Sequence, residues 1–180
     1  DRIRDDEPDA VVLVLGTEEG LEARLVPDRG YELLMIARLP FPRRLSRSAL
    51  SFPARFRVAG EETKRFIRER KVDVVVGFGG YASAPAYRAA RALGVPYAVH
   101  EANARPGFAN RAGSRAASAV GVAFHETRLP KARWVGMPLR REIEQLDRAE
   151  GRKDALRFFG LSVDAPTLLV TGGSTGARSI

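Results

Sequence analysis

The segment that decides the fold is Val75-Val76-Gly77-Phe78-Gly79-Gly80-Tyr81-Ala82-Ser83-Ala84-Pro85. It joins a valine-rich run, typical of a strand buried on both faces, to an alanine-rich run that is typical of a helix. The adjacent glycines let backbone N–H groups approach an anion closely, and the helix start adds its positive dipole. This order predicts an α/β unit that holds a phosphate-bearing ligand at the turn, the alternative being a tight connection without a ligand.

The same alternation of strands and helices extends in both directions along the chain. Strands are predicted at Ala10–Leu15, Tyr31–Ile36, Val72–Val76, Tyr97–His100, Ala119–Ala123 and Arg133–Val135. Helices are predicted at Leu21–Val26, Phe52–Lys71 with Pro53 in its first turn, Ala84–Leu93 and Pro106–Ala117. The pattern therefore predicts an α/β fold with a Rossmann-like parallel sheet and helices on both faces.

A second domain is predicted to begin near the end of the chain. Two charged helical stretches span 139–160, and a new apolar strand at Thr167–Thr171 leads into Gly172-Gly173-Ser174-Thr175-Gly176. The predicted domains are 1–139 and 140–180. The first predicted strand of the chain, Ala10–Leu15, leads into the turn Gly16-Thr17-Glu18-Glu19-Gly20. The two carboxylates of this turn would repel a diphosphate. We therefore expect this strand to be the second strand of its domain, with the first strand and its glycine turn outside this chain.

Composition excludes several classes of protein. Hydrophobic residues make up 44% and charged residues 29%, an ordinary globular balance, and there is no cysteine for a disulfide, metal site or nucleophile. The longest uncharged stretch is Val74–Tyr87, shorter than the roughly 20 residues of a membrane-spanning helix. The two histidines have no clustered carboxylates beside them, so we expect no metal site.

The positive charge is concentrated in one segment. The formal net charge is +8, and Leu33–Gly60 contains six arginines and no acid. Apolar side chains alternate with arginines there, which predicts docking to an anionic membrane surface through Phe41, Arg43, Arg44, Leu45, Arg47, Phe52 and Phe56. The alternative is that the phenylalanines are core and the arginines a solvated face. No nucleic-acid-binding motif accompanies this charge, so a nucleic-acid partner is not expected.

Polar side chains follow two further predicted strands. His100-Glu101-Ala102-Asn103 comes directly after a strand, where parallel sheets gather ligand groups, and Asn110 lies in the next predicted helix. Val135-Gly136-Met137-Pro138-Leu139-Arg140 places an arginine, which can bind phosphate bidentately, at the predicted domain boundary. The alternatives are a hydrogen-bonded loop that caps a helix and a solvated surface arginine.

Taken together, five motifs in this order resemble the MurG family of glycosyltransferases of bacterial peptidoglycan synthesis. They are the turn at Gly16–Glu22, the segment Val75–Ser83, the group His100–Asn103 with Pro106, Gly107 and Asn110, the stretch Val135–Arg140, and the turn Gly172–Ala177. The resemblance implies the glycosyltransferase B architecture of two Rossmann-like domains. It implies transfer of GlcNAc from UDP-GlcNAc to lipid I, with inversion, by a peripheral protein on the cytoplasmic face of the membrane, without a metal or other cofactor.

The resemblance also implies roles for single residues. UDP-GlcNAc would contact Asn103, Arg140 and Ser174. The diphosphates would lie at the turn of Gly79, Gly80 and Tyr81 and at the turn of Gly172, Gly173 and Gly176. Asn110 would lie near the acceptor diphosphate, with Glu101 in support. The family's candidate base is a histidine on the glycine turn expected outside this chain, so no catalytic residue is named and the chain alone is expected to be inactive. The alternative function is a non-catalytic module that binds a sugar nucleotide or phosphate.

Overall fold

The computed structural model describes residues 2–39 and 47–171, with side chains at 2–39 and 50–171. The chain divides into two compact units, Asp1–Met137 and Pro138–Ile180, with the boundary two residues before the predicted one. The first unit carries all of the strands that the described residues form.

Six short parallel strands form two sheets. The strands are β1 (Leu13–Gly16), β2 (Glu32–Met35), β3 (Val75–Gly77), β4 (Tyr97–Glu101), β5 (Ala119–Val122) and β6 (Ala132–Trp134). β1 pairs with β2, and the second sheet has the order β3-β4-β5-β6. A doubly wound sheet has the order 3-2-1-4-5-6, in which the second and fourth strands are not neighbours. The separate pairing therefore fits the expectation that β1 is the second strand of its domain.

Helices connect most of the strands and extend into the second unit. They are α1 (Arg2–Asp6), α2 (Glu22–Leu25), α3 (Arg47–Glu69), α4 (Ser83–Ala92), α5 (Phe108–Gly113), α6 (Arg141–Glu144) and α7 (Arg148–Phe158). α3 packs against α4, and α4 packs against β3, β4 and α5. The short α1 was not expected from the sequence. Among the described residues no helix is long and apolar enough to cross a membrane.

Two predicted helices have different bounds in the structure. α3 begins at Arg47, so Pro53 lies inside the helix and not in its first turn. The helix continues past the proline because its inner face, which includes Ala59, Thr63 and Ile67, is buried. α5 is shorter than predicted because Gly107 stays extended and donates its amide to Glu101.

The predicted strand at Thr167–Thr171 is wrong. These residues form neither strand nor helix, and Leu168, Leu169 and Val170 are exposed. A strand needs a neighbouring backbone for its ladder hydrogen bonds, and no strand of the described residues pairs with this run.

Two apolar clusters fix the first unit. The larger lies under the four-stranded sheet and includes Tyr87, Tyr97, Val99, Val120 and several alanines. The smaller consists of Ile36, Leu39 and Ala59, and partly buried side chains that include Phe52, Phe56 and Ala82 pack against it. Because Ala82 directly precedes α4, the second cluster ties the end of β2 to the turn between β3 and α4.

Candidate functional site

The candidate site lies where β3 and β4 end. Gly77 pairs with Val99 and Glu101 pairs with Val122, so the loops after these parallel strands leave the same edge of the sheet. This edge carries the glycine turn Phe78–Tyr81 and the polar group His100–Asn103. Ligand groups gather at this edge in open α/β sheets.

The glycine turn has a backbone that only glycine adopts readily. Gly79 and Gly80 have φ angles of 90° and 80°, in the left-handed region that disfavours residues with a Cβ atom. The Ser83 hydroxyl donates a hydrogen bond to the Gly79 carbonyl at 2.5 Å, which fixes the turn against the first residue of α4. No side chain caps the N-terminus of α4. Its first amides are therefore oriented toward the turn with the positive end of the helix dipole.

Glu101 is a buried carboxylate that organises the loop after β4. It is 2% exposed and accepts four hydrogen bonds of 2.9–3.0 Å, from the Asn103 amide, the Asn103 side chain, the Gly107 amide and the Asn110 side chain. Burial alone would raise the pKa of Glu101, but these hydrogen bonds outweigh it and lower the pKa. Glu101 is therefore an ionised anchor whose oxygens are already occupied.

The buried side chain of Asn110 lies between Glu101 and the glycine turn. Its amide nitrogen donates to the His100 carbonyl and to Glu101 at 3.1 and 3.0 Å, and its amide oxygen accepts from the Tyr87 hydroxyl at 2.8 Å. The residue is 1% exposed, so it supports the loop from inside rather than at its surface. A Cβ atom at Gly79 would lie only 3.3 Å from the Asn110 nitrogen, which shows how closely the turn rests on this amide.

Tyr87 and Ser83 are site residues that the sequence analysis did not select. Both are buried on α4, four residues apart, and Ser83 holds the turn while Tyr87 holds Asn110. Burial is the main cause that raises the pKa of Tyr87, to about 12, so the hydroxyl remains a donor. The sequence signal that could have identified Tyr87 is a single tyrosine hydroxyl among the small side chains of α4.

Asn103 is the exposed member of the group. Its side-chain nitrogen donates to Glu101 at 2.9 Å, and its backbone carbonyl accepts from the Thr127 hydroxyl at 3.1 Å. With the nitrogen fixed in this way, the amide oxygen is left as an acceptor suited to a ligand hydroxyl.

His100 links β4 to the end of the first unit. Its Nε2 lies 3.0 Å from the Gly136 carbonyl, and because a carbonyl only accepts, Nε2 carries the proton. Nδ1 is buried without a hydrogen-bond partner in the described structure. The ring lies 5.5 Å from that of Phe78 in the glycine turn.

The other predicted site residues lie in the second unit, in α3 or outside the described residues. Arg140 is exposed in the second unit, directly before α6. Outside the described residues lie Phe41, Arg43, Arg44, Leu45, Gly172, Gly173, Ser174 and Gly176. Arg47 opens α3, and the structure does not describe its side chain. Within residues 2–39 and 47–171, no three histidine or acidic side chains form a group that could hold a metal ion.

Comparisons with known proteins match this chain to one family along most of its length. The N-terminal domain of glycosyltransferase family 28 matches residues 2–122. Two relatives from Leifsonia xyli and Streptomyces coelicolor are 63% and 50% identical over the whole chain. Each is named UDP-N-acetylglucosamine--N-acetylmuramyl-(pentapeptide) pyrophosphoryl-undecaprenol N-acetylglucosamine transferase. The chain spans 50% of the length of each of these proteins.

A solved structure agrees with this assignment. The crystal structure of MurG from Acinetobacter baumannii superposes with a TM-score of 0.63 at 30% identity, covering 80% of this chain and 41% of that one. The predicted Rossmann-like α/β fold of the glycosyltransferase B type is confirmed, as is the resemblance to MurG. The chain belongs to glycosyltransferase family 28.

Proposed function

We propose that this chain forms the acceptor-binding part of an inverting transferase that moves GlcNAc from UDP-GlcNAc to lipid I, giving lipid II. The observation that carries the proposal is the left-handed Gly79-Gly80 turn, supported by Asn110 and Glu101 at the edge where β3 and β4 end. Such a turn at a helix start offers backbone N–H groups to a diphosphate. The names of the relatives supply the substrates.

Inversion requires a single displacement. The acceptor hydroxyl oxygen attacks the anomeric carbon of GlcNAc, the bond from that carbon to UDP breaks, and a base takes the hydroxyl proton. Backbone N–H groups and arginine then stabilise the charge that develops on the leaving diphosphate. In this proposal Asn103 and Arg140 contact the sugar nucleotide, and Tyr81 lies beside the acceptor diphosphate.

Glu101 and His100 are positioning residues in this scheme. Both oxygens of Glu101 are occupied by donors, and the lowered pKa makes the carboxylate a poor proton acceptor. The Nε2 of His100 is held at the Gly136 carbonyl, and its Nδ1 is buried. We therefore assign the catalytic base to neither residue.

The experiment is a transfer assay with radiolabelled UDP-GlcNAc and lipid I, on a full-length protein that carries this sequence and on residues 1–180 alone. The full-length protein should form labelled lipid II and release UDP in equal amounts, and residues 1–180 alone should form none. Binding of UDP-GlcNAc to the full-length protein without transfer would favour the alternative, a non-catalytic binding module.

We also propose that the protein docks peripherally on the anionic cytoplasmic face of the membrane. The support is the arginine-rich segment and a groove of about 440 Å³ between α3, α4 and α5, lined by apolar and aromatic side chains together with Arg88, Arg91 and Arg115. None of the described residues that line this groove is acidic. Phe52 and Phe56 also line it, although their stacked rings pack partly against the core. Each arginine near an anionic bilayer contributes about 1 kcal/mol.

Charge reversal tests the docking proposal. Arg43→Glu, Arg44→Glu and Arg47→Glu together should abolish co-sedimentation with vesicles that contain anionic phospholipid. The control combines Arg148→Glu, Arg152→Glu and Arg157→Glu, three exposed arginines of α7, and should still bind. Equal vesicle binding by the two triple variants would contradict the docking role of the arginine-rich segment.

A further inference from the structure

An arginine that the sequence analysis did not select lies beside the glycine turn. Arg38 follows β2 by three residues, between the buried side chains of Ile36 and Leu39, which are 4% and 2% exposed. Arg55 of α3 donates a hydrogen bond to the Arg38 carbonyl at 2.7 Å. The backbone of Arg38 is therefore fixed on both sides, while its side chain is exposed.

The Arg38 side chain reaches the glycine turn. Its guanidinium carbon lies 5.1 Å from the centre of the Tyr81 ring, and Tyr81 directly follows Gly80. Ala82, the next residue, packs against the cluster that contains Ile36 and Leu39. A guanidinium placed over an aromatic ring in a cation–π contact keeps N–H groups available for other partners.

No carboxylate of the described residues forms an ion pair with Arg38. Glu22 is near enough for the charge of Arg38 to affect it. Burial would raise the pKa of Glu22, but hydrogen bonds from its own backbone amide and from Thr17, together with the charge of Arg38, lower it. The Glu22 carboxylate accepts from the Thr17 amide and hydroxyl, both at 3.1 Å, and no ion pair between Glu22 and Arg38 is formed in the described structure. The described residues also give the Arg38 guanidinium no hydrogen-bond acceptor.

We propose that Arg38 binds the diphosphate of the lipid-linked acceptor at the Gly79-Gly80 turn. This inference rests on the proposed function, which places a diphosphate at that turn. Backbone N–H groups of the turn donate to the diphosphate from one side. Arg38, positioned by Tyr81, adds a bidentate pair of N–H donors and a full positive charge from the other.

The test is steady-state kinetics of Arg38→Gln in a full-length protein that carries this sequence. Loss of a charge-assisted phosphate contact should raise the KM for lipid I about tenfold or more, with the KM for UDP-GlcNAc unchanged. Arg38→Lys keeps the charge but loses the bidentate geometry, so its KM for lipid I should be intermediate. If Arg38→Gln lowers the melting temperature, the KM for lipid I of Arg38→Lys is compared with that of the unmodified protein instead.

The matched control is Arg65→Gln. Arg65 also stacks on an aromatic ring, 5.3 Å from the centre of Phe66, but it lies in the C-terminal half of α3 and has no part in the proposed site. It should leave both KM values unchanged. An unchanged KM for lipid I in Arg38→Gln would overturn the inference, and a raised KM for UDP-GlcNAc alone would move the contact to the donor diphosphate. Absence of transfer in the unmodified protein would contradict the proposed function instead.

Discussion

Glu101 illustrates how one buried carboxylate can serve a site without taking part in its chemistry. Its four donors belong to the loop and the helix that follow it, so the negative charge holds Asn103, Gly107 and Asn110 in one arrangement. Removing such a group leaves several buried donors unsatisfied, which costs more than the hydrogen bonds themselves contribute. The side chain is therefore a positioning residue with a measurable effect on stability.

Glu101→Gln should make the protein less stable and its stability less sensitive to acid. The pKa of Glu101 is lowered on folding, so its stabilisation is present above the unfolded pKa and is lost as the pH falls through the folded pKa. Chemical denaturation should show a loss of about 2 kcal/mol at pH 7 and a flatter profile below about pH 4.5. Glu126→Gln, at an exposed glutamate that forms no ion pair in the described structure, controls for the loss of one acid. Identical acid profiles for the unmodified protein and Glu101→Gln would contradict this role.

Asn110→Ala should destabilise the first unit more than Tyr87→Phe does. The alanine leaves the Tyr87 hydroxyl without its partner and removes a donor from both the His100 carbonyl and one oxygen of Glu101, which keeps the Gly107 amide. Phenylalanine leaves only the Asn110 oxygen unsatisfied. We expect losses of about 3 and about 1 kcal/mol, measured by urea denaturation. The reverse order would show that the amide is not the centre of this network.

At the scale of elements, sequence patterns predicted the positions of the strands better than the contacts within the site. Valine-rich runs between polar turns identified β3, β4 and β5 because an apolar stretch of that length has to be buried. The same reasoning failed at Thr167–Thr171, since an apolar run says nothing about whether a neighbouring strand pairs with it. The link from Tyr87 through Asn110 to Glu101 joins residues on three elements, so only packing brings them together.

Pro53→Ala should stabilise α3. The proline lies in the seventh position of the helix, where it lacks the N–H that would bond to the carbonyl four residues earlier. Its replacement should raise the free energy of unfolding by about 1–3 kcal/mol, seen as a higher melting temperature. Pro85 is in the first turn of α4, where no helix bond is lost, so Pro85→Ala should not stabilise. A lower melting temperature for Pro53→Ala would indicate that the helix needs the proline ring.

At the scale of the whole molecule, the polar site at the end of the four-stranded sheet and the arginine-rich surface are two distinct regions. The end of the four-stranded sheet gathers the glycine turn, the Glu101 anchor and the exposed amide of Asn103. The arginine-rich segment precedes and enters α3, and three more arginines line the groove between α3, α4 and α5. The proposed function uses the first surface for the diphosphate of the acceptor and the second for the membrane that contains it.

The most direct test of this account is the KM for lipid I in Gly80→Ala, measured in a full-length protein that carries this sequence. A Cβ atom at Gly80 meets no neighbouring atom within 4 Å, so the substitution acts only through the left-handed backbone, at a cost of about 1–2 kcal/mol. We predict a KM for lipid I raised about tenfold, with the KM for UDP-GlcNAc unchanged. An unchanged KM for lipid I, in a variant shown to be strained by its lower melting temperature, would contradict the placement of the acceptor diphosphate at this turn.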